Sequence, residues 1–139
     1  MEIELKRKIF LEKLEEKFKE IEKFEKFSGP GLIKKIKRLF FTPQIYIPYL
    51  WYRFNPFFKK LQFSLFFGKN IEIVFSEKPP FLIIKGILPG VAEYKLTKFF
   101  IKNLKEDDIF YDVGANYGFY TYLALEFCKE VHSFEPLPE

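Results

Sequence analysis

The stretch from Asp108 to Glu135, DIFYDVGANYGFYTYLALEFCKEVHSFE, admits few folds. IFYDV reads as a strand of the kind buried in a parallel sheet. A turn with two glycines follows it. YGFYTYLALEFCKE predicts a helix, and VHSFE a second strand. A strand, a helix and a strand in so short a span form a right-handed crossover between parallel neighbours. That is the opening unit of a doubly wound α/β sheet, whose ligands sit outside the carboxyl ends of the strands.

The turn YDVGANYG places chemistry at that edge. Gly114 follows the strand and Gly118 opens the helix, and a Cβ at either would hold a ligand or neighbouring backbone away. Asn116 stands where a dinucleotide fingerprint has glycine. It tolerates left-handed backbone angles and adds an amide donor and acceptor. Two acids flank the turn. Asp112 closes the first strand, and Glu135, at the end of the second, can accept hydrogen bonds from both hydroxyls of a ribose. Asp112 would repel a phosphate and attract a ligand that carries an ammonium and a sulfonium. S-adenosylmethionine (SAM) has both cations, a ribose and no phosphate. NAD is the competing reading. It shares the ribose acid, but it expects G-x-G-x-x-G and gives Asp112 no role.

DVGANYGFYT followed by VHSFEPLPE resembles the FkbM family of SAM-dependent methyltransferases, in which a D-V-G-A-N-x-G turn precedes a strand ending in F-E-P. EYKLTKFFIKNLKEDDIF is similar to that family's lead-in helix and strand, so the likeness runs from about Pro89 to Glu139. It implies an incomplete Rossmann-like methyltransferase fold and transfer of a methyl group to oxygen, often on sugar hydroxyls. Carried over by position, Asp112, Gly114, Ala115, Asn116 and Gly118 line the methionine end of SAM, and Glu135 holds the ribose. Tyr117, Tyr120 and Thr121 lie adjacent, and Glu93 approaches from the lead-in helix. A complete fold of this kind has about seven strands, of which the sequence supplies two. The expectation is a cofactor-binding part that is inactive alone and needs a complementary C-terminal chain, with Phe110, Val113 and Phe134 short of packing partners. No catalytic residue is assigned. The alternative is a non-catalytic interaction or membrane-associated fragment, or an NAD-type nucleotide-binding one.

The remainder divides into a mainly helical, basic-aromatic region over 1–68 and a region over 69–139 that holds a β-hairpin, the lead-in helix and the α/β unit. Leu11, Leu14, Phe18, Ile21 and Phe24 recur at helical spacing over 2–27, and Ser28-Gly29-Pro30-Gly31 ends that element. The helix either packs on its own domain or meets a partner helix. LIKKIKRLFF predicts a short basic amphipathic helix. Helical pieces with turns at Pro43, Pro48 and Pro56 are expected as far as residue 67. NIEIVF and PPFLIIKGIL predict the hairpin over 69–88, and VAEYKLTKFFIKNL predicts a helix.

Charge is uneven along the chain. Residues 28–75 hold eight basic side chains against the single acid Glu72. Mixed with aromatics, these bases serve a subdomain of snorkelling lysines or a peripheral membrane contact. Nucleic acid is the weakest partner, since no recognition motif accompanies the charge. The one cysteine, Cys128, excludes an internal disulfide, and Cys128 with His132 gives too few ligands for a metal. Charges interrupt every apolar run at the N-terminus. The expected location is cytoplasmic, with the membrane surface as the alternative.

Overall fold

The computed structural model describes residues 2–27, 30–54, 60–74, 86–88 and 90–136. Among them the chain is mixed α and β: five helices and two sheets of two strands each.

Helix α1 spans Glu2–Lys26, with Glu2 and Glu4 in its first turn and Lys23 and Lys26 in its last, each opposing the helix dipole there. It buries Phe10, Leu14, Ile21 and Phe24. Helix α2, Leu32–Phe41, carries no buried residue. Thr42 joins it to α3, Pro43–Phe54. The Thr42 N–H and hydroxyl both donate to the Arg38 carbonyl, and its own carbonyl accepts from the N–H groups of Ile45 and Tyr46. Pro43 takes the first helical position, where its missing N–H costs nothing.

Pro48 lies inside α3, which corrects the expected turn at that residue. The helix gives up one bond there, and the face that carries Ile45, Tyr46 and Tyr52 stays buried on either side. The turn expected at Pro56 lies outside the described residues.

A hairpin also forms one stretch earlier than the expected one. Strand β1, Lys60–Ser64, pairs antiparallel with β2, Asn70–Val74. Among the described residues the NIEIV strand thus pairs with the residues before it, where helical pieces are expected from the sequence. Residues 65–69 make the turn: the Leu65 N–H donates to the Lys69 carbonyl, and Gly68 sits at φ 90°. The two strands join through side chains as well, Gln62 to Glu72 at 2.6 Å and Ser64 to Asn70 at 2.5 Å. On the other face Phe63 sits opposite Ile71, and both are buried. The expected second strand in PPFLIIKGIL lies mostly outside the described residues. Its last residues return against the hairpin turn, where the Phe66 N–H donates to the Gly86 carbonyl over 3.0 Å.

Helix α4, Val91–Asn103, leads through a turn into β3, Ile109–Val113. Helix α5, Phe119–Ala124, then precedes β4, Glu130–Phe134. Strands β3 and β4 are parallel, from Ile109 opposite Glu130 to Val113 opposite Phe134. The expected β–α–β unit is present. Burial of β3 on both faces is not: Ile109, Tyr111 and Val113 are exposed while Phe110 is half-buried. The sheet has two strands among the described residues, and α4 and α5 cover its Phe110 side, where Phe100 meets Phe110 and Tyr120 edge-on.

One core joins α1 to this unit. Phe10 packs against Phe66, Phe67 and Phe127, and Phe18 stacks on Tyr94 at 4.2 Å. Leu14, Ile21, Ile87, Ile101 and Leu123 are almost fully buried in the same cluster. Arg7 caps the end of α4: its guanidinium donates to the carbonyls of Ile101 and Leu104 and lies over the Phe127 ring. Lys6 does the same for the turn after α5, donating to the Glu126 carbonyl at 2.7 Å and pairing with its carboxylate at 2.6 Å.

Candidate functional site

The turn between β3 and α5 is stitched to the end of β4 by main-chain bonds. The N–H groups of Gly114 and Ala115 both donate to the Phe134 carbonyl, at 2.8 and 3.2 Å. The Gly118 N–H then donates back to Ala115 over 2.8 Å and closes the turn. Three residues take left-handed angles: Gly114 at φ 77°, Asn116 at 50° and Gly118 at 73°. Glycine is strain-free there and Asn is the side chain that best tolerates it. A Cβ on Gly114 would meet no atom within 4 Å, so the backbone there is open to an incoming group. At Gly118 the nearest atom to such a Cβ is in the Tyr122 ring, at 3.3 Å.

The sequence-predicted residues converge on this turn. The Asn116 N–H donates to the Glu135 carboxylate over 2.6 Å, so the acid that leaves β4 is bonded to the tip of the loop that leaves β3. Asp112 sits one residue before the end of β3 and accepts from the Thr121 hydroxyl of α5 at 2.5 Å. Asp112 and Glu135 thus stand at the carboxyl ends of two adjacent parallel strands, with Gly114, Ala115, Asn116 and Gly118 forming the loop between them.

Glu93 reaches the unit through Tyr120, whose hydroxyl donates to its carboxylate. Burial first, and then this bond to an anion, push the Tyr120 phenol above its ordinary range. Tyr120 is therefore neutral at physiological pH, a fixed donor that joins α5 to the first turn of α4.

Ser133 carries no motif in the sequence, yet it belongs to the site. Its hydroxyl lies 3.2 Å from Thr121 Oγ1, beside the Asp112 contact. The parallel register sets Ser133 opposite Asp112, 21 positions on, as it does for every β3–β4 pair. That constant offset is the signal that could have found it. Cys128 and His132 play other parts. Cys128 is buried four residues beyond the end of α5, where its N–H donates to the Ala124 carbonyl at 2.8 Å. His132 bonds Glu130 at 2.7 Å and stacks on Tyr111 across the sheet.

No protein-family model, no curated protein and no solved structure matches the chain.

Proposed function

We propose that the β3–α5 turn is the methionine-and-ribose side of an SAM site, and that the chain carries the cofactor-binding part of a methyltransferase acting on a sugar or related hydroxyl. One observation supports this above the rest: two carboxylates, Asp112 and Glu135, flank a turn whose tip is already bonded to one of them. Such an edge disfavours a pyrophosphate by like-charge repulsion and favours a ligand with cationic groups. Asp112, oriented by Thr121, faces the ammonium and sulfonium. Glu135, oriented by the Asn116 N–H, faces the ribose hydroxyls. The open backbone at Gly114 lets the ligand approach closely. When bound, SAM supplies an electrophilic methyl group for the acceptor oxygen. The acceptor class rests on the resemblance of DVGANYGFYT and VHSFEPLPE to the FkbM family.

Isothermal titration with SAM and, separately, with NAD tests the reading. SAM is expected to bind, with roughly tenfold or greater loss in Asp112→Ala, the scale of one charge-assisted contact. Thr121 retains Ser133 as a partner in that variant. Absence of SAM binding at millimolar ligand, or binding of NAD in its place, overturns the proposal.

A further inference from the structure

Helix α2 is attached by its cationic side and turns its apolar side outward. On a helical wheel Leu32, Ile33, Ile36, Leu39 and Phe40 share one arc about 120° wide. All five are exposed, Leu32 at 73% and Phe40 at 77%. Arg38 lies on the opposite side and faces the protein: its guanidinium sits 4.6 Å from the Phe24 ring centre and 5.8 Å from that of Tyr46. Phe41, also away from the arc, stacks on Phe27 at 5.4 Å. A surface helix of a globular protein has the reverse arrangement, with its apolar stripe on the core.

The charge around the arc says what it meets. Lys35 borders it on one side and Lys37 on the other. From Ser28 to Phe54 the sequence has five basic residues and no acid. Helix α3 adds exposed Ile47, Trp51 and Phe54, spaced four and three residues apart on one of its own faces. Among the described residues, no helix is long and apolar enough to cross a membrane. An apolar arc with aromatic residues, bordered by lysines and free of acids, fits the interface of an anionic lipid bilayer. The arc enters the acyl boundary and the lysines stay with the headgroups.

We propose that α2 docks this chain on an anionic membrane surface, lying in the interfacial plane with Leu32, Ile33, Ile36, Leu39 and Phe40 inserted. This inference is independent of the cofactor reading.

Co-sedimentation of the full chain with vesicles tests it. Binding is expected to a three-to-one mixture of phosphatidylcholine and phosphatidylglycerol, and at least roughly tenfold less to phosphatidylcholine alone. The double variant Lys35→Gln/Lys37→Gln is expected to weaken binding by roughly tenfold or more. So is Ile33→Ser/Phe40→Ser, through lost apolar insertion. A salt titration of the unsubstituted chain requires no variant: binding falls as added salt shortens the screening length. Failure to bind the mixed vesicles, equal binding to both compositions, or binding indifferent to salt overturns the proposal. A dimer in solution that Ile33→Ser/Phe40→Ser splits into monomers, without vesicle binding by the parent chain, assigns the arc to a second copy and also overturns it.

Discussion

The main-chain N–H of Asn116 donates to the carboxylate of Glu135 over 2.6 Å, so the loop that leaves one strand is held by the residue that leaves its neighbour. The bond helps to keep Asn116 at φ 50°, an angle that few side chains adopt. Glu135→Gln retains an acceptor but removes the charge, while Glu135→Ala removes both. In denaturant unfolding, the alanine variant is expected to lose about 1 kcal/mol, as for one exposed hydrogen bond to a charged group, and the glutamine variant less. In titration calorimetry both are expected to lose SAM affinity. Unchanged affinity in both would remove Glu135 from the ribose contact.

Gly86 and Gly114 both have positive φ, but they differ in surroundings. A Cβ on Gly86 would lie 2.4 Å from the Ser64 carbonyl oxygen and 2.9 Å from the Phe66 nitrogen, both backbone atoms. Gly86→Ala therefore combines angular strain with displacement of the hairpin turn and is expected to cost upwards of about 2 kcal/mol. Gly114→Ala meets no neighbour and is expected to cost only the strain, about 1 kcal/mol. Urea melts of the two variants side by side check the order.

Arg7 joins the first two turns of α1 to the end of α4. Arg7→Met keeps most of the aliphatic stem against Phe127 and removes the donors. The carbonyls of Ile101 and Leu104 then lose a cation at the helix end, and about 2 kcal/mol of stability is the expected loss. Glu4 also pairs with Arg7, at 3.4 Å, from a largely exposed position. Glu4→Ala is expected to change stability by well under about 1 kcal/mol. Equal effects of the two substitutions would contradict the capping role.

Tyr52 gives the fold an alkaline limit. Burial, followed by the charge of Tyr117, raises its phenol to about 12. The unfolded phenol ionises near 10, so between those values the unfolded state has already lost a proton that the folded state retains. The Tyr52 contribution to stability is constant below pH about 10 and is lost as pH rises to about 12, by up to roughly 2–3 kcal/mol. Tyr120 shifts in the same direction. Tyr52→Phe is expected to flatten the part of the decline that belongs to Tyr52, measured as denaturant midpoint against pH.

Much of the fold is legible in the sequence wherever a period runs long enough to be distinctive. Leu14, Ile21 and Phe24 mark the face of α1, and VAEYKLTKFFIKNL marks α4. Strand β1 was hidden because five residues of KLQFS alternate too briefly to be told from a helical segment among the surrounding aromatics and lysines. Pro48 predicts a break because a single residue does not reveal that the helix on both sides of it is held by burial. At the candidate site, Asp112, Asn116 and Glu135 were visible from one turn and two strand ends. Ser133 and the Tyr120–Glu93 bond were not. The first depends on register and the second on where α4 docks, and neither leaves a local pattern.

Lys6 reaches a partner 120 positions away, and Arg7 reaches two that are 94 and 97 positions away. During synthesis at about 5–20 residues per second, the N-terminal helix waits roughly 5–25 s before the residues it clamps exist. Through most of that interval Phe18 lacks Tyr94 of α4, and Phe10 lacks Phe127 to its end. Contacts of such sequence separation also slow the folding step itself. The helix from Glu2 to Lys26 is therefore made well before part of its packing surface, and a nascent chain stalled before Tyr94 has Phe18 without its stacking partner, while Phe10 can already meet Phe66 and Phe67.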